Sequence, residues 1–330
     1  MNWPLIISNT LFTALGVQAV GYVLAAIGIN MHFGYTGLLN FGQAAFALVG
    51  AYSVAVTVRT YHHSIWFALV VMVIASVILA LILGVPTLRL RSDYLAIVTI
   101  AAAEILRLIV NSVRYTKTLG GSDGLQNFTR EVEKLNPLPK HDFHFWKQPA
   151  QSVVVFVILV GWVLVVLCSL ITYFLMRSPW GRVLKSIRED EDAARSLGKN
   201  IFAYKMQSLI IGGLFGSLGG VILAVGGRAA APGDYSTAFT FFAWTMLILG
   251  GLGRVKGPII GGVIYWFIIG FTDNVLSQAT QHHLLPRWLV TENNAGFFRF
   301  MLSGLGLALL VIFRPQGIFG DRREQAFDVR

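Results

Sequence analysis

Charge is what this sequence most lacks. Only 13% of its 330 residues are Asp, Glu, Lys or Arg, against roughly 25% in a typical soluble domain. With 55% hydrophobic residues and a mean hydropathy of +0.66, that deficit excludes an ordinary water-soluble domain and places the chain in the membrane class. Cysteine is nearly absent too. The single Cys168 lies in an apolar run, so no internal disulfide can form and no paired thiolates are available to a metal. The seven histidines, His32, His62, His63, His141, His144, His282 and His283, sit in or beside loops and read as solvated. Only His141 and His144 have a ligand-like spacing. Without a cysteine or carboxylate framework they make no metal site. A GxxxxGK[ST] phosphate loop is missing; "GGLGRVKGP" is the nearest piece and has the wrong spacing. An HExxH helix is missing as well, which leaves a metalloprotease reading without a ligand set. The formal net charge is +10, but no basic run is interleaved with exposed aromatics, so nucleic acid is not the expected partner. The N-terminal stretch has no basic n-region, and its apolar run has the length of a bilayer span. It reads as a retained first span, not a signal peptide.

What is present is a succession of apolar runs. A membrane helix needs about 20 mostly apolar residues, and such runs fall near 5–29, 38–58, 65–85, 94–113, 151–176, 205–226, 238–253, 257–273 and 296–313. The expected fold is all-α, a polytopic transmembrane helical bundle of about nine spans forming one domain over 1–330. "MHFGYTGLLNFGQAAF" interrupts the pattern: Gly34, Gly37 and Gly42, with Asn40 and Gln43, suggest a broken or re-entrant segment. Irregular backbone survives at membrane depth only where protein buries it or water lines it. "LGGLGRVKGPIIGG" reads either as a second break or as a tight turn between two short spans.

Lys and Arg set the orientation. With the Arg177–Lys205 segment on the cytoplasmic side, alternation puts Arg89, Arg91, Arg254, Lys256 and the 314–330 tail on that side too. The opposite face receives Arg59, Arg228, Arg287 and the long 114–150 loop. That loop carries six basic residues, Arg114, Lys117, Arg130, Lys134, Lys140 and Lys147, against the rule, offset by Asp123, Glu131, Glu133 and Asp142. The N-terminus is expected outside and the C-terminus inside.

The one dense charged stretch is "RSPWGRVLKSIREDEDAARSLGKN", Arg177 to Asn200. Ser178-Pro179 is a helix start. Trp180, Val183, Leu184 and Ile187 form an apolar stripe, with Arg182, Lys185 and Arg188 facing elsewhere. Glu189, Asp190, Glu191 and Asp192 lead a second short helix, matching the positive end of its dipole. Ala193, Ala194 and Leu197 make a small apolar face, Gly198 a C-terminal cap, and Asn200 a cap for the next span. Two surface helices with a flat alanine patch ringed by charge are expected to meet another protein, the charges fixing register.

Farther on, Ser208, Gly212, Gly216, Gly220 and Ala224 recur every fourth residue in "QSLIIGGLFGSLGGVILAVGG". They give one smooth face for close helix packing in lipid, toward an internal helix or a second subunit. Glu104 and Arg107, one turn apart in "YLAIVTIAAAEILRLIV", are charges at membrane depth. Each costs about 2.5–3.5 kcal/mol to insert and should face a partner or a cavity.

"DAARSLG", Asp192 to Gly198, resembles the EAA-x-x-x-G cytoplasmic loop of ABC importer permeases, with Asp in place of Glu. The whole Arg177–Asn200 stretch resembles that loop in the LivM-type permeases of the branched-chain amino acid importer family. "GYTGLLNFGQAAFALVGAY", "LRLRSDYLAIVTIAAAEILRLIVNS", "LGGSDGL", "LILGGLGRVKGPIIGGVI" and "FRPQGIFG" agree, in order, along nearly the whole chain. The distal Ile-x-Leu-Pro of the general loop motif is absent, and the 130–151 insert matches no known motif. The resemblance implies a non-enzymatic transport subunit in a prokaryotic plasma membrane. It implies a sister permease, two ATP-binding subunits that hold ATP and Mg, and an extracytoplasmic solute-binding protein. Within the cytoplasmic loop, 177–204, the coupling site becomes Arg188, Glu189, Asp190, Glu191, Asp192, Ala193, Ala194 and Gly198. Candidate path residues, read from their polarity within apolar spans, are Gln18, Asn40, Gln43 and the Glu104–Arg107 pair, which is otherwise a structural ion pair. Urea or short-chain amides are the alternative solutes, since related permeases share these motifs. An ion-coupled carrier, the reading from another class, would need an internal ion site, and Glu104 and Arg107 alone offer buried charge for one.

Overall fold

The computed structural model describes residues 2–88, 92–139, 143–145, 148–281, 301, 304–305 and 318. Its helices run α1 Trp3–Leu15, α2 Val17–Ile29, α3 Gln43–Arg59, α4 Ile65–Thr87, α5 Ser92–Asn111, α6 Thr116–Leu119, α7 Arg130–Leu135, α8 Ser152–Arg177, α9 Pro179–Glu189, α10 Glu191–Ser196, α11 Ile201–Gly227, α12 Thr237–Gly250 and α13 Gly257–Gln281. Among the described residues, six helical segments are long and apolar enough to cross a membrane: Trp3–Gly34, Ile65–Thr87, Tyr94–Asn111, Ser152–Arg177, Ile201–Gly227 and Gly257–Thr280. The apolar α3 and α12 are shorter. The expected span at 296–313 and the 314–330 tail lie outside the described residues, as do Arg89, Arg91, His141, His282, His283 and Arg287.

The first apolar run is not one straight helix. Gly16 takes an extended conformation between α1 and α2, so α1 swings onto α13 while α2 packs on α8, α11, α12 and α13. Beyond α2 the backbone widens into a π-helical turn, Asn30–Gly34. Non-helical chain follows from Gly37 through Gly42, and α3 begins only at Gln43. The "LGGLGRVKGP" stretch is a tight turn, with Gly251 and Gly253 at φ 111° and 68°.

The all-α expectation needs one correction. Two small antiparallel pairs occur among the described residues: β1 Leu125–Gln126 with β4 Ala229–Ala230, and β2 Phe143–Phe145 with β3 Gln148–Ala150. Outside a helix, backbone N–H and C=O groups still need partners. Pairing β1 with β4 satisfies them and ties the 114–150 loop to the end of α11.

At the centre, α11 lies along α2 and α3. The small face of α11 makes this possible. A Cβ on Gly212 would collide with the Gly28 carbonyl and the His32 ring, one on Gly216 with the Gln43 amide, and one on Gly220 with the Ala47 carbonyl. Ser208 and Ala224 complete the face and are buried. Where helices approach this closely in lipid, dispersion and interhelical hydrogen bonds take over from hydrophobic burial. Thus the Ser76 and Ser217 hydroxyls meet at 2.7 Å, and Ser217 Oγ donates to the Phe46 carbonyl at 2.9 Å. The outer faces of α4, α5 and α8 leave Ile74, Ile78, Ile82, Ile97, Ile105, Val163 and Phe174 uncovered, a surface suited to lipid or a neighbouring subunit.

Candidate functional site: a charged loop tied to a buried polar cluster

The sequence between α8 and α11 folds as its capping residues dictate. Ser178 accepts from the Gly181 N–H at 3.4 Å, and Pro179 opens α9. Leu184 and Ile187 are buried, and Trp180 Nε1 donates to Gln207 Oε1 at 2.6 Å. Asp190 Oδ1 caps α10 by accepting from Ala193 N at 2.9 Å. Gly198 follows α10 at φ +75°, a left-handed conformation that glycine adopts without a Cβ penalty. Asn200 Oδ1 then accepts from Ala203 N at 3.1 Å and starts α11. Arg195 pairs with Asp192 at 2.9 Å and with Glu191 at 3.1 Å, and Glu191 also pairs with Lys205 of α11.

The expected alanine patch is different. Ala194 is 2% exposed and packs with Ile187 and Ile201, whereas Ala193 points outward and Leu197 is 76% exposed. Successive helical residues are rotated by about 100°, so two adjacent alanines cannot share one flat face. The outward surface is instead Glu189, Asp190, Asp192, Ala193, Leu197 and Gly198.

Arg188 also departs from expectation. It does not face away from the membrane bundle: its Nη1 donates to the Gly34 carbonyl, and its stem runs along Gly37, whose Cβ would sit 3.6 Å from Arg188 Cγ. The π-turn it grips is held from the other side by Asn30. Asn30 Nδ2 donates to the Arg254 carbonyl and Oδ1 accepts from Gly253 N, both at 3.0 Å. One hydrogen-bonded chain thus joins the charged loop, the π-turn and the α12–α13 turn.

Behind the π-turn lies a buried polar cluster. His32 was read from sequence as solvated, yet it is fully buried. Asn40 Oδ1 accepts from Gly42 N at 2.8 Å, so its Nδ2 faces His32 Nδ1 at 3.0 Å. The amide can only donate there. The ring proton therefore sits on Nε2, which donates to the Leu209 carbonyl at 3.1 Å. Gln43 Nε2 donates to the Gly212 and Ala25 carbonyls at 3.1 and 3.3 Å. Trp244 Nε1 donates to the Asn40 carbonyl at 3.1 Å, Phe41 N to Thr99 Oγ1 at 3.1 Å, and Ala44 N to Thr240 Oγ1 at 2.9 Å. Side chains from α5, α11 and α12 thereby satisfy the backbone that the break leaves open, as burial in an apolar medium demands. Asn40 and Gln43, expected to offer hydrogen bonds to a solute, are fully buried and spend their polar groups on the protein itself. The sequence reading missed Asn30, His32, Thr99 and Thr240 here; the excess of polar residues around the glycines of 30–43 was the available signal.

Glu104 and Arg107 form a two-point ion pair, Nε–Oε2 at 2.9 Å and Nη2–Oε1 at 2.5 Å. Their side chains keep 38% and 23% exposure, beside the uncovered Ile105 and Leu108 of α5. Gln18 is exposed near the start of α2, at the opposite end of that helix from Gly34. Among the described residues, no group of three or more His, Cys, Asp or Glu is placed to hold a metal.

No solved structure matches the chain. Among proteins of known role, it is 29% identical to the high-affinity branched-chain amino acid transport system permease protein LivM of Salmonella typhimurium, over 98% of this chain and 73% of that one. Identity to the Escherichia coli LivM is 28% over the same shares. The Escherichia coli permease protein LivH is 26% identical over 91% of each chain. The family model described as "Branched-chain amino acid transport system / permease component" matches residues 11–306, a range that contains the interrupted α2–α3 segment, the charged loop and the small-residue face of α11; the chain belongs to that family of membrane permeases.

Proposed function

We propose that this chain is the transmembrane subunit of an ATP-driven importer that carries branched-chain or other hydrophobic amino acids into a prokaryotic cell. On this reading 1–330 is one permease domain of about nine spans in the plasma membrane, with the 31–46 segment re-entrant. The N-terminus is outside, the 114–150 loop extracytoplasmic, and the 177–204 loop and 314–330 tail cytoplasmic. ATP and Mg belong to two separate ATP-binding subunits, and a solute-binding protein delivers the solute from outside. A sister permease completes the path; relatives of both LivM and LivH type support a two-permease assembly.

The observation that carries this reading is the attachment of the charged loop to the π-turn through Arg188. Glu189, Asp190, Asp192, Ala193 and Gly198 offer an exposed surface for an ATP-binding subunit, while Arg188, Glu191 and Ala194 anchor the same loop to the bundle. A shift of α9–α10 pulls on the Gly34 carbonyl and on Gly37, and through Asn30 on the α12–α13 turn. Packed interfaces of this kind move between discrete arrangements instead of deforming smoothly. Asn40 and Gln43 then hold the broken segment to α11 and influence the path through its position. Glu104 and Arg107, a charged pair on an otherwise apolar open face, call for a protein or water neighbour there, which the sister permease supplies.

The test is the reconstituted complex in proteoliposomes. Leucine uptake is expected to require ATP hydrolysis. Arg188→Met should assemble and yet lower uptake at least tenfold, about 1.4 kcal/mol on the limiting step. Uptake at the wild-type rate in an assembled Arg188→Met complex would refute the coupling role.

A further inference from the structure

At the end of α2 remote from the charged loop, the start of α2, the end of α11, the turn Pro232–Tyr235 and the start of α12 enclose a cavity of about 300 Å³. That is the lower end of the roughly 300–1,000 Å³ range of small-molecule sites. Gln18, Tyr22, Leu223, Asp234, Phe239 and Phe242 are among its walls. The aromatic side is built tightly: the Tyr22 ring lies 4.6 Å from that of Phe239 and 6.3 Å from that of Phe242.

Asp234 is the anomaly in this wall. Among the described residues its carboxylate pairs with no Lys or Arg; the nearby Arg228 faces Glu133 at 3.8 Å. A backbone hydrogen bond at Ala231 holds the Asp234 carboxylate, and the titratable groups in its electrostatic reach are the phenols of Tyr22, Tyr52 and Tyr235, which bring no positive charge. Tyr235 donates its hydroxyl to the Gly220 carbonyl at 3.1 Å. The Tyr52 hydroxyl is buried and has no hydrogen-bond partner among the described residues. Partial burial holds the Asp234 carboxyl above the usual carboxylate range. A lone carboxylate beside aromatic faces is the arrangement that receives a cation. The charge supplies attraction, and the ring quadrupoles add to it.

The geometry points to this cavity as a transient solute site that admits amino acids by their ammonium group: Asp234 takes the ammonium, the Gln18 amide the carboxylate, and Leu223, Phe239 and Phe242 the aliphatic side chain. It rests on the importer reading above and sharpens it, because urea and simple amides carry no cation for Asp234. The carboxylate sits at an exposed rim, where an ion pair is weak. The site therefore holds its solute loosely, as a path must if the solute is to leave again.

The test uses the whole complex in proteoliposomes with radiolabelled leucine and urea as probes. Asp234→Asn is expected to assemble and to lower leucine uptake about tenfold, while Asp234→Glu keeps at least half of it. Ala238→Trp fills the same cavity from an exposed rim position and is expected to abolish uptake with complex yield unchanged. It provides the readout where Asp234→Asn lowers the yield. Wild-type leucine uptake in either assembled variant overturns the inference. A wild-type complex that takes up urea and no amino acid overturns the solute reading on which it rests, a result distinct from the first.

Discussion

Gly216→Ala adds one methyl group to α11 and tests the centre of the bundle. The new Cβ would collide with Gln43 Nε2 and lie 2.8 Å from Gln43 Cδ and 3.4 Å from Cγ. Gln43 has no room to yield, being fully buried with its amide bonded to the Ala25 and Gly212 carbonyls. Overpacking of this kind costs about 1–3 kcal/mol. Displacing the amide removes donors from two buried carbonyls, about 1 kcal/mol each. The better helix propensity of alanine returns up to about 1 kcal/mol, leaving a net destabilisation of about 2–5 kcal/mol. Gly227→Ala is the internal control, because a Cβ there meets nothing within 4 Å. The assay is the heat-inactivation midpoint of the purified complex, compared with wild type and Gly227→Ala. A double-mutant cycle adds Gln43→Ala, which vacates the contested space. The pair is expected to be at least about 1 kcal/mol more stable than the sum of the single changes, the mark of direct contact. Wild-type stability in Gly216→Ala, or simple additivity with Gln43→Ala, would refute the reasoning.

Leu197→Glu places a charge on the 76% exposed tip of the charged loop; the proposed docking role predicts that pull-down of ATP-binding subunits falls at least tenfold while membrane insertion of the chain stays normal. Gly198→Val forces a β-branched residue to φ +75°, at a cost of roughly 1–2 kcal/mol, whereas Gly198→Asn is tolerated; solute-stimulated ATP hydrolysis of the two complexes, side by side, checks the contrast. Glu104→Gln and Arg107→Met should each lower complex yield, because each strands one charge of the pair, and the double variant should recover it. Equal yields in all three would show that solvent already screens the pair.

Much of the fold was legible because bilayer insertion is written locally. Long apolar runs form helices whatever surrounds them, so eight of the expected apolar runs correspond to described helices, of which six helical segments are long and apolar enough to cross a membrane. Caps are local too: Ser178, Asp190 and Asn200 act within three residues of themselves. The small face of α11 was legible as a face because glycine spacing needs only helical periodicity. What it meets was not, since Gly28, Gln43 and Ala47 come from elements that sequence spacing cannot rank as neighbours.

By itself, then, the sequence determined a chain of membrane-length apolar helices, its interrupted segment after α2, and a charged two-helix loop. Those follow from hydropathy, capping and backbone freedom over short windows. Only the tertiary structure decided where the polar groups point. Arg188 turned inward to the Gly34 carbonyl instead of outward, the adjacent Ala193 and Ala194 split between solvent and core, and His32, Asn40 and Gln43 became internal struts. For Arg188, His32, Asn40 and Gln43 the physical reason is shared. In a low-dielectric interior each polar group must find a partner, and for these residues the partners lie on helices distant in the chain, brought close only when α11 settles between α2 and α3.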